Sequence, residues 1–284
     1  MIGRVVFATL LETSAKRAGT PPGADSILSE SVLVVIPAYE EEAALPGLLD
    51  RMPATVCGLA LSTLVVDDGS GDRTAQVARE HGALVERLDR NRGGGAALRA
   101  GFDYALRSGA DIVVTMDADG QHLPEEVEAL VLPVVDGRAG LAIGSRILGH
   151  AEPNTFAREL GISFFNRLVS FLMRRRISDS SNGYRAFRTN ILPTLDLRQQ
   201  QFHTAEFLIQ ALARGVEVVE VPITVARRTH GTTKKPRTLR YGYGYARAII
   251  DTWLRTLPLR VRPNPRSDHT PDVQGQPAPV RRDA

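Results

Sequence analysis

The stretch VVTMDADGQH, Val113 to His122, decides the fold of this chain. Its first half is apolar and β-branched, which is typical of a buried strand. Its second half places Asp117 and Asp119 one residue apart, followed by a glycine, an amide and an imidazole. A buried strand that ends in oxygen ligands is typical of an α/β sheet, because ligands bind such sheets beyond the carboxyl ends of the strands.

Two earlier stretches have the same organisation. SVLVVIPAY, 31–39, is an apolar run that continues into three glutamates, and LSTLVVDDGSGDRT, 61–74, is apolar until Asp67 and Asp68. The segments between these strands have the residue spacing of helices and contain Gly-rich turns. ALVERL and AGLAIGSR predict two further strands. This rhythm predicts a single α/β domain whose mostly parallel central sheet is flanked by helices. The three polar strand ends are expected to meet in one crevice.

Composition and length limit the class of protein. The 284 residues are 43% hydrophobic and 24% charged, which is ordinary for a globular chain. Apolar runs such as VLVVI, 32–36, are far shorter than the roughly 18 residues of a membrane-spanning helix. Cys57 is the only cysteine, so the chain has no disulfide framework, and we expect a cytoplasmic protein.

The composition also predicts three regions. Residues 1–30 are expected to form a loosely ordered arm, with GTPPG as the break before the first strand. Residues 31–256 are expected to form the folded domain. The Pro- and Arg-rich residues 257–284 have little apolar content and are expected to be disordered.

The pattern D-x-D-x-Q collects hard oxygen ligands at the end of one strand. In an extended backbone, Asp117, Asp119 and Gln121 project to one face. Two carboxylates and an amide oxygen suit Mg²⁺ or Mn²⁺ better than Zn²⁺. Protein sites for Mg²⁺ usually supply one or two carboxylates and leave the rest to substrate phosphates. The alternative is an Asp-rich turn that caps the helix after Pro124.

Basic residues are concentrated in the second half of the chain. Residues 221–250 contain seven Lys or Arg and no Asp or Glu. Residues 156–176 predict an amphipathic helix with five arginines and a broad apolar arc. This helix suits the surface of an anionic membrane, or it packs on the sheet. A nucleic-acid partner is not expected, because carboxylates at the strand ends do not fit one.

The motifs occur in the order VVIPAYEEE, VVDDGSGDRT, NRGGGAALRAG, TMDADGQHLPE, GSR, DSSNGYRAFR, EVPI and RRTHGTTKK. This order resembles the family 2 glycosyltransferases of the GT-A (nucleotide-diphospho-sugar transferase) fold. More narrowly, it resembles the dolichyl- and polyprenyl-phosphate mannose and glucose synthases, over roughly residues 31 to 250. The resemblance implies metal-dependent, inverting transfer of mannose or glucose from GDP-mannose or UDP-glucose to a polyprenyl phosphate. It also implies a peripheral position at the inner face of the membrane.

The resemblance assigns roles to individual residues. It implies that the base and ribose of the donor are held by Pro37, Tyr39, Glu41, Val66 and Asp68. It implies that the donor diphosphate and its Mg²⁺ or Mn²⁺ are held by Asp117, Ala118, Asp119 and Gln121. It implies catalytic contacts to the phosphates and the acceptor from Asp119, Arg146, Arg158, Arg228 and Lys234. The last two lie on a basic segment, 226–240, that is expected to be a mobile loop.

Two positions depart from the family pattern. Glu40 replaces the asparagine of P-x-Y-N-E, and Gly94 replaces the lysine of N-x-G-K-G. Because that lysine is absent, a module that binds a sugar nucleotide without catalysing a reaction stays among the alternatives. The histidines, His122, His203 and His230, are interpreted as structural or solvated rather than catalytic.

Two further alternatives concern the reaction. The first is a family 2 glycosyltransferase with a soluble metabolite or a glycan as acceptor. The second is a sugar-1-phosphate nucleotidyltransferase, which requires a Gly-rich, Arg-containing loop after the first strand; this chain has PAYEEE there instead. The identity of the sugar and the oligomeric state, a homo-oligomer included, stay open.

Overall fold

The computed structural model of the chain describes residues 30–151, 156–227 and 239–260. An eight-stranded sheet forms its centre. The strands are β1 (Ser31–Ala38), β2 (Thr55–Val56), β3 (Leu59–Asp67), β4 (Leu84–Arg87), β5 (Ile112–Thr115), β6 (Leu141–Ala151), β7 (Arg185–Arg188) and β8 (Val218–Val225). The helices are α1 (Leu45–Leu49), α2 (Thr74–Glu80), α3 (Gly94–Ser108), α4 (Val127–Val135), α5 (Phe156–Met173), α6 (His203–Ala213) and α7 (Leu239–Arg260).

The sheet is mixed, with more parallel than antiparallel pairings. Its order is β2-β3-β1-β5-β7-β6-β8, and β4 also pairs with β3. The pairs β1–β3, β1–β5, β3–β4 and β6–β8 are parallel, which confirms the predicted mostly parallel sheet. The pairs β2–β3, β5–β7 and β6–β7 are antiparallel.

Strand β7 is one of the elements that the sequence pattern does not predict; the others are β2, β8, α6 and α7. Its four residues, RAFR, are half cationic and follow a run of turn formers, so the segment has the composition of a loop. In the structure it lies between β5 and β6 and is largely buried. A segment with the composition of a loop is therefore a strand of the central sheet over residues 185–188.

Both faces of the sheet are covered, as near-continuous apolar strands require. In β1, Val34 and Ile36 pack on one face with α1 and α4. Leu33 and Val35 pack on the other face, with α3 and α6. Helix α3 lies very close to the sheet, because a Cβ atom at Gly101 would overlap the Val35 side chain. The core therefore fixes the strand ends from both sides.

Three predicted boundaries need correction. Helix α5 ends at Met173 rather than at residue 176, because Arg174 has a φ of 53° and leaves the helix. Helix α7 already includes residues 239 and 240, which were expected in the mobile loop, and it continues through residues 257–260 of the expected disordered tail. The remaining parts of the predicted arm, loop and tail, 1–29, 228–238 and 261–284, lie outside the described residues.

The predicted apolar arc of α5 is divided between two environments. Phe165 and Leu172 pack against the core, and Phe165 contacts the ring of Tyr245 in α7 at 4.7 Å. Phe164 and Phe171 are exposed, by 55% and 79% of their surface. Helix α5 therefore both packs on its neighbours and presents an apolar surface. In the part of the chain that the structure covers, no helix has the length and apolar character to cross a bilayer.

The departure at Glu40 has a backbone consequence. Glu40 has a φ of 53°, in the left-handed region that disfavours most side chains and tolerates asparagine. Replacing Glu40 with Asn is expected to raise the free energy of unfolding by about 0.5–1 kcal/mol. Urea unfolding measures this change. Glu40→Gln is the matched control, because it removes the charge and keeps the strain; an equal gain in that variant would contradict the explanation.

Candidate active site

The three predicted strand ends meet at one edge of the sheet. Strand β1 lies between β3 and β5 and is parallel to both, so the carboxyl ends point the same way. The amide of Asp68 donates to the Ala38 carbonyl at 2.8 Å. The amide of Glu40 donates to Ser70 Oγ and that of Glu41 to Thr74 Oγ1, both at 2.9 Å. We call this edge the strand-end crevice, and its existence confirms the expectation from the sequence.

The D-x-D-x-Q loop follows β5 directly. Asp117 is half-buried, Ala118 is buried and Asp119 is 9% exposed. One Asp119 oxygen accepts the amide of Gln121 at 3.1 Å, and Gln121 Nε2 donates to the carbonyl of Ala226 at 3.2 Å. A Cβ atom at Gly183 would lie 3.2 Å from Asp117 Oδ1, so the glycine leaves room beside this carboxylate.

His122 holds this loop from behind. Its Nδ1 accepts the amide of Asp117 at 3.1 Å, so its proton lies on Nε2, which donates to Asn182 Oδ1 at 3.0 Å. The ring stacks on Tyr184 at 4.7 Å, and Asn182 Nδ2 donates to the Gly144 carbonyl at 2.7 Å. His122 is therefore a buried structural histidine, as the sequence interpretation holds, and it fixes the loop that carries both carboxylates.

Arg146 lies beside this loop and is bound to Asp179. Its Nε and one terminal nitrogen donate to the two Asp179 oxygens at 2.7 and 2.8 Å, and the same terminal nitrogen donates to Ser181 Oγ at 2.7 Å. Asp179 is fully buried. Burial alone would lower the pKa of Arg146, but the hydrogen bonds to Asp179 raise it. The expected contact between Arg146 and donor phosphates stays a prediction; the observed contact holds the loop at 178–184.

Other side chains anchor this loop from two further elements. Glu220 in β8 accepts the amides of Ser178 and Asp179 at 2.9 Å. Asn166 in α5 accepts the amide of Ser180 at 2.9 Å. Helix α5, which presents the exposed apolar surface, is thereby joined directly to the loop behind the crevice.

Arg185 is a fully buried cation at the start of β7. Its guanidinium donates to three carbonyls, those of Ser180, Asn182 and Thr204, at 3.1, 2.8 and 2.6 Å. Burial lowers its pKa to about 10, so the group keeps its charge at neutral pH.

A pocket lies beside Asp117, between the strand ends and the helices α3 and α6. It contains about 490 Å³ of empty space, its open mouth included. Its polar lining consists of Arg99, Thr115, Asp117, Arg185, His203 and Thr204. Its apolar lining includes Pro37, Leu98, Phe102, Phe187, Leu197 and Phe207. A ligand in this pocket would contact the first carboxylate of the D-x-D pattern.

Two residues expected at the nucleoside have other contacts. Both oxygens of Asp68 accept backbone amides of the Gly-rich turn, those of Arg92 at 2.8 Å and Gly93 at 2.7 Å. Val66 is fully buried, so its side chain belongs to the core, and its expected position beside the nucleoside stays a prediction. Tyr39 and Glu41 are half-buried at the strand-end crevice.

The Gly-rich turn that leads into α3 lies in close contact with the backbone of Gln199 and Gln200. Gly95 donates its amide to the Gln200 carbonyl at 2.7 Å, and a Cβ atom at position 95 would lie 2.8 Å from Gln200 Cα and overlap Gln199. A Cβ atom at Gly94 would lie 3.6 Å from the His203 ring, an ordinary contact. Position 95 therefore requires glycine, whereas position 94 does not.

This difference gives a prediction for a pair of variants. Gly95→Ala is expected to lower the free energy of unfolding by about 1–3 kcal/mol, because overpacking must displace backbone. Gly94→Ala should leave it unchanged or raise it by up to about 1 kcal/mol, since alanine favours a helix more than glycine does. Urea unfolding of both proteins compares them, and equal destabilisation would contradict the assignment.

Several residues of the site lie beyond what the sequence pattern predicted. The D-x-D loop is held by Asn182 through His122, and the loop at 178–184 is held by Asn166 and Glu220. In the sequence, only the polar run DSSNGYR indicated this region. Arg158 lies in α5, but its side chain is outside the described part. Arg228 and Lys234 also lie outside the described residues.

The fold has close counterparts among solved structures. The glucosyl-3-phosphoglycerate synthase from Mycobacterium tuberculosis, in complex with Mn²⁺, uridine diphosphate and phosphoglyceric acid, matches with a TM-score of 0.63 and 23% identity. The match covers 80% of this chain and 78% of that chain. At this identity the similarity concerns the fold, and it confirms the expected GT-A architecture.

Sequence comparisons define the family. A family model described as Glycosyl transferase family 2 matches residues 33–195, more than half of the chain. The polyprenol monophosphomannose synthase of Mycolicibacterium smegmatis is 39% identical over 218 residues, 72% of this chain and 81% of that protein. The undecaprenyl-phosphate mannosyltransferase of Micrococcus luteus is 35% identical over 215 residues, 72% of this chain and 86% of that protein. The chain therefore belongs to glycosyl transferase family 2.

Proposed function

We propose that this glycosyltransferase moves a hexose, mannose or glucose, from GDP-mannose or UDP-glucose to a polyprenyl phosphate, with inversion. The observation that carries the proposal is the pair Asp117 and Asp119 at the end of β5, in a loop fixed by His122. The two sequence relatives named above support the acceptor, since their names specify polyprenol and undecaprenyl phosphate.

The side chains at the crevice fit a hard divalent cation. In the described residues, no three His, Cys, Asp or Glu side chains form a complete metal cage, so the protein would supply part of a coordination sphere. This is the usual arrangement for Mg²⁺ bound to a phosphorylated substrate. The carboxylates of Asp117 and Asp119 and the side-chain amide oxygen of Gln121 would hold Mg²⁺ or Mn²⁺. When bound, the cation would neutralise charge that develops on the departing diphosphate.

The proposed acceptor requires cationic side chains of the protein more than it requires a general base. A phosphate monoester has a second pKa near 6, so a lipid phosphate is largely a dianion at neutral pH. Such a nucleophile requires orientation by guanidinium or ammonium groups. Arg158, Arg228 and Lys234 are the proposed contacts. A single displacement would invert the anomeric centre, and a product that retains its configuration by NMR would contradict this step.

The outer surface of α5 and α7 supports contact with an anionic membrane. Exposed apolar side chains on these two helices are Leu160, Phe164, Phe171, Tyr243, Ile250, Leu254 and Leu257. Exposed arginines accompany them at positions 167, 174, 176, 240 and 247. Apolar residues beside cations favour binding at the interface of an anionic bilayer. These side chains support the proposal that the protein lies peripherally at the cytoplasmic face of the membrane, where the prenyl chain of the acceptor would lie.

One screen tests the proposal. GDP-mannose and UDP-glucose are each incubated with the protein, Mg²⁺ or Mn²⁺, and either polyprenyl phosphate or phosphoglyceric acid. Transfer to the lipid is the expected result. Transfer only to the soluble acceptor would contradict the lipid assignment, and nucleotide binding without turnover would favour a binding module.

Membrane contact has its own measurement. Flotation with vesicles that contain anionic lipid is expected to carry the protein upward, and vesicles of neutral lipid should carry less. Phe171→Ser removes the most exposed apolar side chain of α5 and should reduce flotation. Complete absence of the wild-type protein from lipid fractions would contradict the proposed peripheral position.

A further inference from the structure

Residues 196–200, which we call the wall segment, lie between a short 3-10 helix (Thr189–Thr194) and α6. The segment crosses the start of α3. The Gln200 carbonyl accepts the amide of Gly95 at 2.7 Å, and the Gln199 carbonyl accepts a guanidinium N–H of Arg99 at 3.1 Å. Leu197 of the segment lines the pocket beside Asp117. The position of the wall segment therefore determines one side of that pocket.

An ion pair between a buried carboxylate and a partly buried arginine holds the wall segment. Glu206 in α6 is 1% exposed, and its Oε2 accepts the amides of Arg198 and Gln199 at 2.9 and 2.8 Å. Its Oε1 pairs with the guanidinium of Arg255, in α7, at 2.5 Å. Arg255 also donates to the carbonyl of Asp196 at 3.1 Å. The two side chains thus bind the segment at three backbone groups, the carbonyl of Asp196 and the amides of Arg198 and Gln199.

The contacts of Glu206 specify what it does. A carboxylate that leaves water loses its hydration, and charged hydrogen bonds must replace it. Here one oxygen binds backbone amides and the other binds Arg255, so the carboxylate is engaged on both sides. Glu206 is thus suited to hold neighbouring backbone rather than to accept a proton from a substrate.

We propose that Glu206 and Arg255 are positioning residues that set the shape of the pocket beside Asp117 and hence the affinity for the nucleotide donor. The effect passes through the wall segment to Gly95 and the start of α3. On its other side, this Gly-rich turn is held by Asp68 at the strand-end crevice. The donor part of the inference rests on the proposed function.

The test compares Arg255 with an exposed arginine that has no role in the proposed site or membrane surface. Arg255→Gln removes the partly buried cation, and Arg138→Gln removes an exposed arginine that pairs with Asp136 at the end of α4. We expect the donor KM to rise about tenfold in Arg255→Gln, with kcat changed much less, because the chemistry of the D-x-D loop is untouched. Arg138→Gln should keep the wild-type KM. Glu206→Gln is a second route to the same effect that preserves the shape of the side chain.

A measurement on the wall segment itself does not depend on turnover. Hydrogen exchange of the full chain is followed at the amides of Gly95, Arg198 and Gln199. Faster exchange at all three in Arg255→Gln, and not in Arg138→Gln, is the expected result. Unchanged exchange would overturn the positioning role, whatever the enzyme's substrate proves to be.

The kinetic result separates positioning from a purely structural ion pair. If Arg255→Gln lowers only the melting temperature and leaves the donor KM at its wild-type value well below that temperature, the link to donor affinity is overturned. Arg255→Lys keeps the charge without the forked donor geometry, and its KM should fall between those of wild type and Arg255→Gln. Failure of the wild-type protein to use any donor would contradict the proposed function, while the exchange experiment would still decide the positioning role.

Discussion

Asp119→Asn is expected to lower kcat/KM for metal-dependent transfer by about 10³-fold. A divalent cation contributes several kcal/mol to the stabilisation of charge on the departing group, and about 1.4 kcal/mol corresponds to a factor of ten in rate. The change replaces one carboxylate oxygen by an amide nitrogen, which does not bind a cation. The asparagine oxygen can still accept the Gln121 amide that Asp119 accepts now, so the loop should keep its shape.

The design needs a control for the loss of one negative charge. Asp136→Asn removes an exposed carboxylate at the end of α4, where it pairs with Arg138. Its kcat/KM should equal that of wild type. Direct titration of Mn²⁺ in the presence of UDP or GDP provides a second readout, and we expect weaker binding only in Asp119→Asn. Full metal-dependent turnover in Asp119→Asn would contradict the assignment of the D-x-D loop.

The strand-end crevice could be predicted from the sequence because its information is local. Each apolar run and the polar residues that end it occupy fewer than fifteen residues, as in VVTMDADGQH. Parallel strands then bring their carboxyl ends to the same edge without further information. The departure from the family pattern at Glu40 is also visible in the local sequence. Its physical meaning is not, because the left-handed backbone that favours asparagine at this position is seen only in the structure.

The supporting contacts could not be predicted, because they join distant parts of the chain. The partner of Arg146 is Asp179, 33 residues away, and Glu206 meets Arg255 across 49 residues. Periodicity contains no information about such pairs. The apolar arc of α5 shows the same limit: spacing predicts which residues share a face, but the position of α7 decides that Phe165 is covered and Phe171 is not.

Asp179→Asn is expected to lower the free energy of unfolding by about 3–5 kcal/mol. The substitution leaves Arg146 largely buried beside a neutral group, and removing one partner of a buried ion pair costs about this much. For a domain of this size, about 1 kcal/mol corresponds to a change of about 2–4 °C in melting temperature, so a decrease of about 10 °C is expected. Thermal unfolding and urea titration both measure the effect.

The exposed pair of Arg51 and Glu125 is a matched control. Its N–O distance, 2.6 Å, is close to the 2.7 Å of the buried pair, but both side chains are about half exposed. Glu125→Gln should therefore cost less than about 1 kcal/mol. If Asp179→Asn and Glu125→Gln lower the free energy of unfolding by the same amount, burial does not determine how much the Arg146–Asp179 pair contributes to stability.

A double variant separates attraction within the pair from the cost of an unpaired charge. If Arg146 is unfavourable only when Asp179 is neutral, then Arg146→Met combined with Asp179→Asn should be more stable than Asp179→Asn alone. The double variant still lacks the contacts from Arg146 to Asp179 and Ser181 that hold the loop behind the D-x-D carboxylates. Recovered stability with low turnover would therefore indicate that the pair is retained for the geometry of the site. Recovered stability with full turnover would contradict that role.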